Sequence, residues 1–178
     1  TELMPQDPLQ AIKSGNAAEV DVLIGSNSDE TTLWSYGNVD EAKLQRIATE
    51  FDVADGLSTY RGCRPNANAE QLLVALTSDH LFRIPCIRMA EAQLEHTPNV
   101  WMYLFDWKSR AFDGRLGATH ALEIPFAFNN LDRAGVDVFI GPGPLPQDLA
   151  DTMHQAWSDF IKHGSPDWPS YTTSQRST

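Results

Sequence analysis

The sequence predicts an α/β layered domain, and three observations carry that reading. Two short, continuous apolar runs, Val20–Gly25 and Val100–Phe105, have the length and β-branched or aromatic content of strands buried on both faces. The segments between and after them carry apolar residues at helical spacing, so strand and helix signals alternate along the chain. The chain has 178 residues, 42% of them hydrophobic and 21% charged, an ordinary globular balance with enough apolar mass for one core.

The elements follow in order. Asp7-Pro8 reads as an N-cap followed by proline at the first helical position, with Leu9 and Ile12 facing inward and Gly15 closing the turn. The strand at 20–25 runs into a polar loop, Ser26 to Glu30. Asp40 then caps a helix whose stripe is Leu44, Ile47, Ala48 and Phe51. Residues 53–67 hold Gly56, Gly62 and Pro65 without a clear period and read as loop. Two helices follow, 68–77 and 79–94, the second with Ile84, Ile87, Ala90 and Leu94 on one face; Pro85 implies a kink or a late start. Pro98 precedes the second strand, and a glycine-punctuated stretch, 113–117, leads to His120. The strongest helix is 147–163, with the stripe Leu149, Met153, Trp157 and Phe160. Its first turn is acidic and its last basic, as the helix dipole favours, and Gly164 stops it. Trp157, Phe160 and Trp168 read as core.

Composition excludes several classes. Thirteen basic against 24 acidic side chains give a net charge of −11, which disfavours phosphate backbones and anionic membrane surfaces. The longest apolar stretch, 100–105, is far short of the roughly 20 residues of a membrane span. Cys63 and Cys86 make neither a disulfide framework nor a C-x-x-C pair, and Cys86, among Ile84, Pro85 and Ile87, reads as a buried, inert thiol. No N-x-S/T sequon occurs, which leaves localisation open with a lean to the cytoplasm. Two strands are too few for a covered parallel sheet, so the remaining strands are expected from chain preceding Thr1 or from another polypeptide.

Two segments can carry chemistry. Gly25-Ser26-Asn27-Ser28-Asp29-Glu30 follows a strand, where open α/β sheets place ligand and catalytic groups; equally, Asn27 with Glu30 three residues on is a capping box. Gly117-Ala118-Thr119-His120-Ala121-Leu122-Glu123 also follows a strand. His120 there is either a structural histidine or a proton carrier for chemistry near neutral pH. His120 and Glu123 have no third partner at metal-ligand spacing, so no metal and no cofactor are expected. Asp79 and Arg83, at i and i+4 on a helix, read as a structural ion pair.

Taken together, SNSDETTLW, SDHLFRIP, VWMYLFDW, GATHALEIPFAF and AWSDFIKHGSPDWPSY closely resemble, in order, the C-terminal part of the type B carboxylesterases. That family includes bacterial para-nitrobenzyl esterases and the cholinesterases. The resemblance implies an α/β-hydrolase fold, of which residues 1–178 are the C-terminal part of one domain, holding the last strands of the central sheet and their flanking helices. It implies a Ser–Glu–His triad with Glu30 as the acid and His120 as the base, in the chain order α/β-hydrolases use. Leu33 and Trp34 match positions that line the substrate pocket in relatives, and core packing is their other reading. Asp29 is expected only to cap local backbone. Many relatives carry glycine after the acid, where Thr31 stands, and some carry it after the histidine, where Ala121 stands.

No G-x-S-x-G occurs, so the nucleophile and the oxyanion glycines are expected on a missing N-terminal part. The implied function is a carboxylic-ester hydrolase fragment that acts on a small ester once partnered by that N-terminal part, and is inactive alone. The alternative is a non-catalytic, cholinesterase-like adhesion module. Glu30 and His120 together favour the enzyme, because adhesion needs neither.

Overall fold

The computed structural model describes residues 5–34 and 37–178. Helix α1, Pro8–Lys13, starts where Asp7 accepts the backbone N–H groups of Leu9 and Gln10. Strand β1 is Val22–Asn27, two residues later than its apolar run, and leaves Val20 exposed. A 3-10 turn, Glu30–Leu33, occupies the end of the expected loop. Helix α2, Glu41–Glu50, is capped by Asp40 as expected and buries Leu44, Ile47 and Ala48.

The segment read as loop is instead a 3-10 turn, Ala54–Gly56, followed by helix α3, Leu57–Cys63. Tertiary contact overrides its weak helical propensity: Leu57 is buried with the apolar faces of α2 and α4, Ala69–Ser78. A full capping box, Asn68 with Gln71, starts α4. Helix α4 runs without a break into a π-helical turn, Asp79–Arg83, which joins it to α5, Ile84–Leu94. Pro85 falls just past the π-helical turn, inside one continuous helical run, where the wider winding accommodates its missing N–H. The i→i+5 winding also unmakes the expected Asp79–Arg83 ion pair, since i and i+4 no longer stack. Asp79 instead accepts the Tyr60 hydroxyl at 2.8 Å. Burial first, and that bond second, raise the Tyr60 pKa.

Strand β2, Val100–Phe105, has the expected bounds and lies parallel to β1, from Val22 opposite Val100 to Asn27 opposite Phe105. The pair is the whole sheet among the described residues. Gly25 is required here, because a Cβ would collide with the Tyr103 carbonyl of the neighbouring strand. Val100 and Met102 point to one face, against Ala90 of α5 and the buried Tyr171. Trp101 and Tyr103 point to the other, edge-on to Phe160 and Trp157 of α8, Gln147–His163. The sheet is therefore sandwiched between α5 and α8. Two short helices, α6 (Ile124–Ala127) and α7 (Asp137–Ile140), join α8 around Phe105, Leu122 and Phe126.

Burial is less complete than the sequence implies. Most of β1 is only half-buried, and Leu149 and Ile84, expected inside, are exposed. Trp157 and Trp168 are half-buried and line an open groove of about 920 Å³ between β2 and α8. Cys86 is half-buried rather than buried; its thiol donates to the Gly25 carbonyl at 3.3 Å, and desolvation pushes its pKa up. Among the described residues no helix is long and apolar enough to cross a membrane, and no group of three metal-ligating side chains converges.

Candidate active site

The two chemistry-bearing segments meet beyond the C-terminal ends of β1 and β2. Glu30 opens the 3-10 turn that follows β1, with its side chain buried. One carboxylate oxygen accepts the Asn27 backbone N–H at 2.7 Å, and the other accepts His120 Nδ1 at 2.7 Å. The expected capping box is thus half made. Its carboxylate half exists, while the Asn27 side chain turns away to donate to the Thr119 carbonyl at 2.7 Å and to the Glu123 carboxylate.

His120 lies 90 residues from Glu30 in the chain, and its side chain is 52% exposed against 6% for Glu30. That contrast sets the chemistry. The buried carboxylate accepts, so Nδ1 carries the hydrogen and Nε2 is the free acceptor. The backbone repeats the pairing: His120 N–H donates to the Glu30 carbonyl at 3.2 Å. Ala121, directly after, holds φ at +66°, a conformation that suits glycine.

Phe82 completes the site, unmarked by any sequence signal apart from its place in SDHLFRIP. From the π-helical turn its ring lies 5.2 Å from the imidazole of His120 and 5.8 Å from Trp34. A π turn changes which way successive side chains point, and such turns recur at functional sites. Trp34 thereby joins the rim of the site through Phe82. Leu33, one residue earlier, ends the 3-10 turn; both are exposed, so neither is core.

Asp29 does more than cap local backbone. One of its oxygens accepts the Ala118 N–H at 2.8 Å, 89 residues away, and Lys108 Nζ at 2.7 Å. Lys108 also reaches Asp106 at 2.7 Å and Ser28 at 2.8 Å. Partial burial would push the Lys108 pKa down, but its bonds to Asp106 and Asp29 outweigh that and leave it above the ordinary value. Asp106 is likewise drawn down by Lys108 and Ser28, against the upward push of desolvation.

A parallel strand pair between helical layers, with its polar loops gathered past the strand ends, is the general arrangement of open α/β folds. Solved structures agree. A para-nitrobenzyl esterase structure superposes with a TM-score of 0.73 at 32% identity, over 97% of this chain and 36% of its own. A Geobacillus stearothermophilus carboxylesterase superposes with a TM-score of 0.76 at 30% identity, over 96% and 37%. The chain thus has part of an α/β-hydrolase fold. In sequence it is 31% identical to the para-nitrobenzyl esterase of Bacillus subtilis over 98% of its own length. The family profile described as "Carboxylesterase family" matches residues 58–177. This chain belongs to the carboxylesterase family. It spans about a third of the length of the curated relatives it matches, 37% of the Bacillus subtilis protein and 36% of a phenmedipham hydrolase from Pseudarthrobacter oxydans.

Proposed function

We propose that this chain supplies the acid and the base of a Ser–Glu–His carboxylic-ester hydrolase, and that it is the C-terminal part of one α/β-hydrolase domain. The 2.7 Å contact between Glu30 and His120 Nδ1 carries the reading. In the reaction, His120 Nε2 takes the hydroxyl proton as serine Oγ bonds to the ester carbonyl carbon. The same nitrogen returns that proton to the leaving alcohol, and the cycle repeats with water to free the acid. Glu30 stays ionised throughout and stabilises the imidazolium while fixing its tautomer. The serine and the oxyanion donors belong to the N-terminal part, because no G-x-S-x-G occurs here.

The substrate is a small, uncharged ester. Phe82, between exposed Trp34 and the imidazole of His120, makes an apolar surface next to that ring that suits an acyl or alcohol group, and exposed Leu33 adjoins Trp34 in the chain. Ester cleavage by relatives such as the para-nitrobenzyl esterase supports the same class. The test is turnover of a short-chain nitrophenyl ester by this chain joined to, or complemented by, its N-terminal part. Activity that His120→Ala abolishes is expected; undiminished turnover by the His120→Ala protein would end the assignment.

A further inference from the structure

The 117–120 segment is fastened to the 27–30 loop at more points than the triad contact itself. Asn27 holds the Thr119 carbonyl, and Glu30 holds both the backbone and the ring of His120. Asp29 makes a two-way bond with Ala118. Its N–H donates to the Ala118 carbonyl at 3.0 Å, and its carboxylate accepts the Ala118 N–H at 2.8 Å. Gly117 sits against that carboxylate with φ at +60°, and a Cβ there would overlap Asp29 Oδ2. Behind Asp29 stands Lys108, a cation on the connection out of β2, bonded at once to Asp29, Asp106 and Ser28. Ser28 donates in turn to Asp106. The buried end of this network is the backbone two residues before the imidazole.

We propose that Asp29, held by Lys108, is a positioning residue that sets where His120 stands relative to the nucleophile. This rests on the reading of Glu30 and His120 as acid and base. Two adjacent carboxylates then divide the tasks: Glu30 grips the ring, and Asp29 grips the loop backbone that carries it. The physical need is plain. The imidazole is half-exposed and Ala121 beside it holds a positive φ, so the position of the ring depends on the bonds that fasten residues 117–120. A misplacement of about 1 Å at a general base can cost about a hundredfold in rate.

The experiment is steady-state kinetics of the complete esterase with a nitrophenyl ester, with thermal unfolding measured alongside. Asp29→Ala should lower kcat tens-fold with KM changed less than about twofold, since a displaced base does not weaken ester binding. Asp29→Asn keeps an oxygen for the Ala118 N–H and should recover most of that loss. Lys108→Met should lower kcat several-fold, and Lys108→Arg should restore it. A kcat for Asp29→Ala within twofold of the parent would overturn the proposal. So would a loss shared equally by Asp29→Ala and Asp29→Asn that follows a falling Tm, the mark of a merely structural residue. Glu30→Gln separates the two claims. If it is severe while Asp29→Ala is mild, the positioning role fails alone; if it is mild, the acid assignment beneath it fails as well.

Discussion

Ala121 shows most directly how function loads a single residue. Its φ of +66° costs an L-residue roughly 1–2 kcal/mol, and the bonds fastening residues 117–120 hold it there. Ala121→Gly should therefore stabilise the protein by about 0.5–1 kcal/mol, read from denaturant unfolding, with esterase activity preserved. The Lys108 ammonium gives a second expectation. Its raised pKa means that its contribution to stability is complete below the unfolded lysine value near 10.4 and is lost only as pH rises through the higher folded value. A side-chain NMR titration should place Lys108 above exposed lysines in the same spectrum, and Lys108 titrating with them would deny its pairing. The contact between Glu30 and His120 was legible because each follows a strand and lies in a segment that resembles a family motif. Lys108 was not, since nothing local ties it to a carboxylate 79 residues away. Asp29 departs from the local cap expected of it because its partners, the Ala118 amide and Lys108, lie 89 and 79 residues away.

The contact between β1 and β2 decides whether the loops that carry Glu30 and His120 meet at all. Gly25 sits where the strands pack against the Tyr103 carbonyl and ring, so Gly25→Ala forces them apart. Overpacking of this kind costs about 1–3 kcal/mol, and here it should also lower kcat, because β1 aims Glu30 and β2 leads to His120. A Gly25→Ala protein with unchanged stability would show that the strands have slack. Helix 147–163 could be placed to the residue because periodicity, glycine and charge agree there, and strand 100–105 because Pro98 and Asp106 bound a continuous apolar run. Helix α3 escaped notice because its glycines and short length hide a face that only α2 and α4 complete. The π-helical turn was also invisible: its sequence reads as ordinary helix, and only the placement of Phe82 against His120 gives it a purpose.

At the scale of the molecule, two strands between two helical layers leave apolar surface uncovered. β1 is half-exposed, the groove beside β2 is open, and Ile161 and Phe128 are 80% and 70% exposed. Such surface drives association, so this chain alone should bind a hydrophobic dye, aggregate or pair tightly with an N-terminal fragment. A monodisperse monomer with a sharp melt would contradict that. It should also fail to turn over a nitrophenyl ester, because imidazole and carboxylate cannot replace a serine and its oxyanion donors. The α/β class was readable from the two apolar runs, whereas the incomplete covering of β1 was not, since a continuous apolar run shows that both faces call for cover and not which segments supply it. On the proposed mechanism, Glu30 orients His120 and balances its charge during ester cleavage. The most direct measurement is kcat of the complete esterase carrying Glu30→Gln, which preserves shape while removing the charge. The account predicts a fall on the order of 10⁴ with Tm unchanged; a kcat within about tenfold of the parent would contradict it.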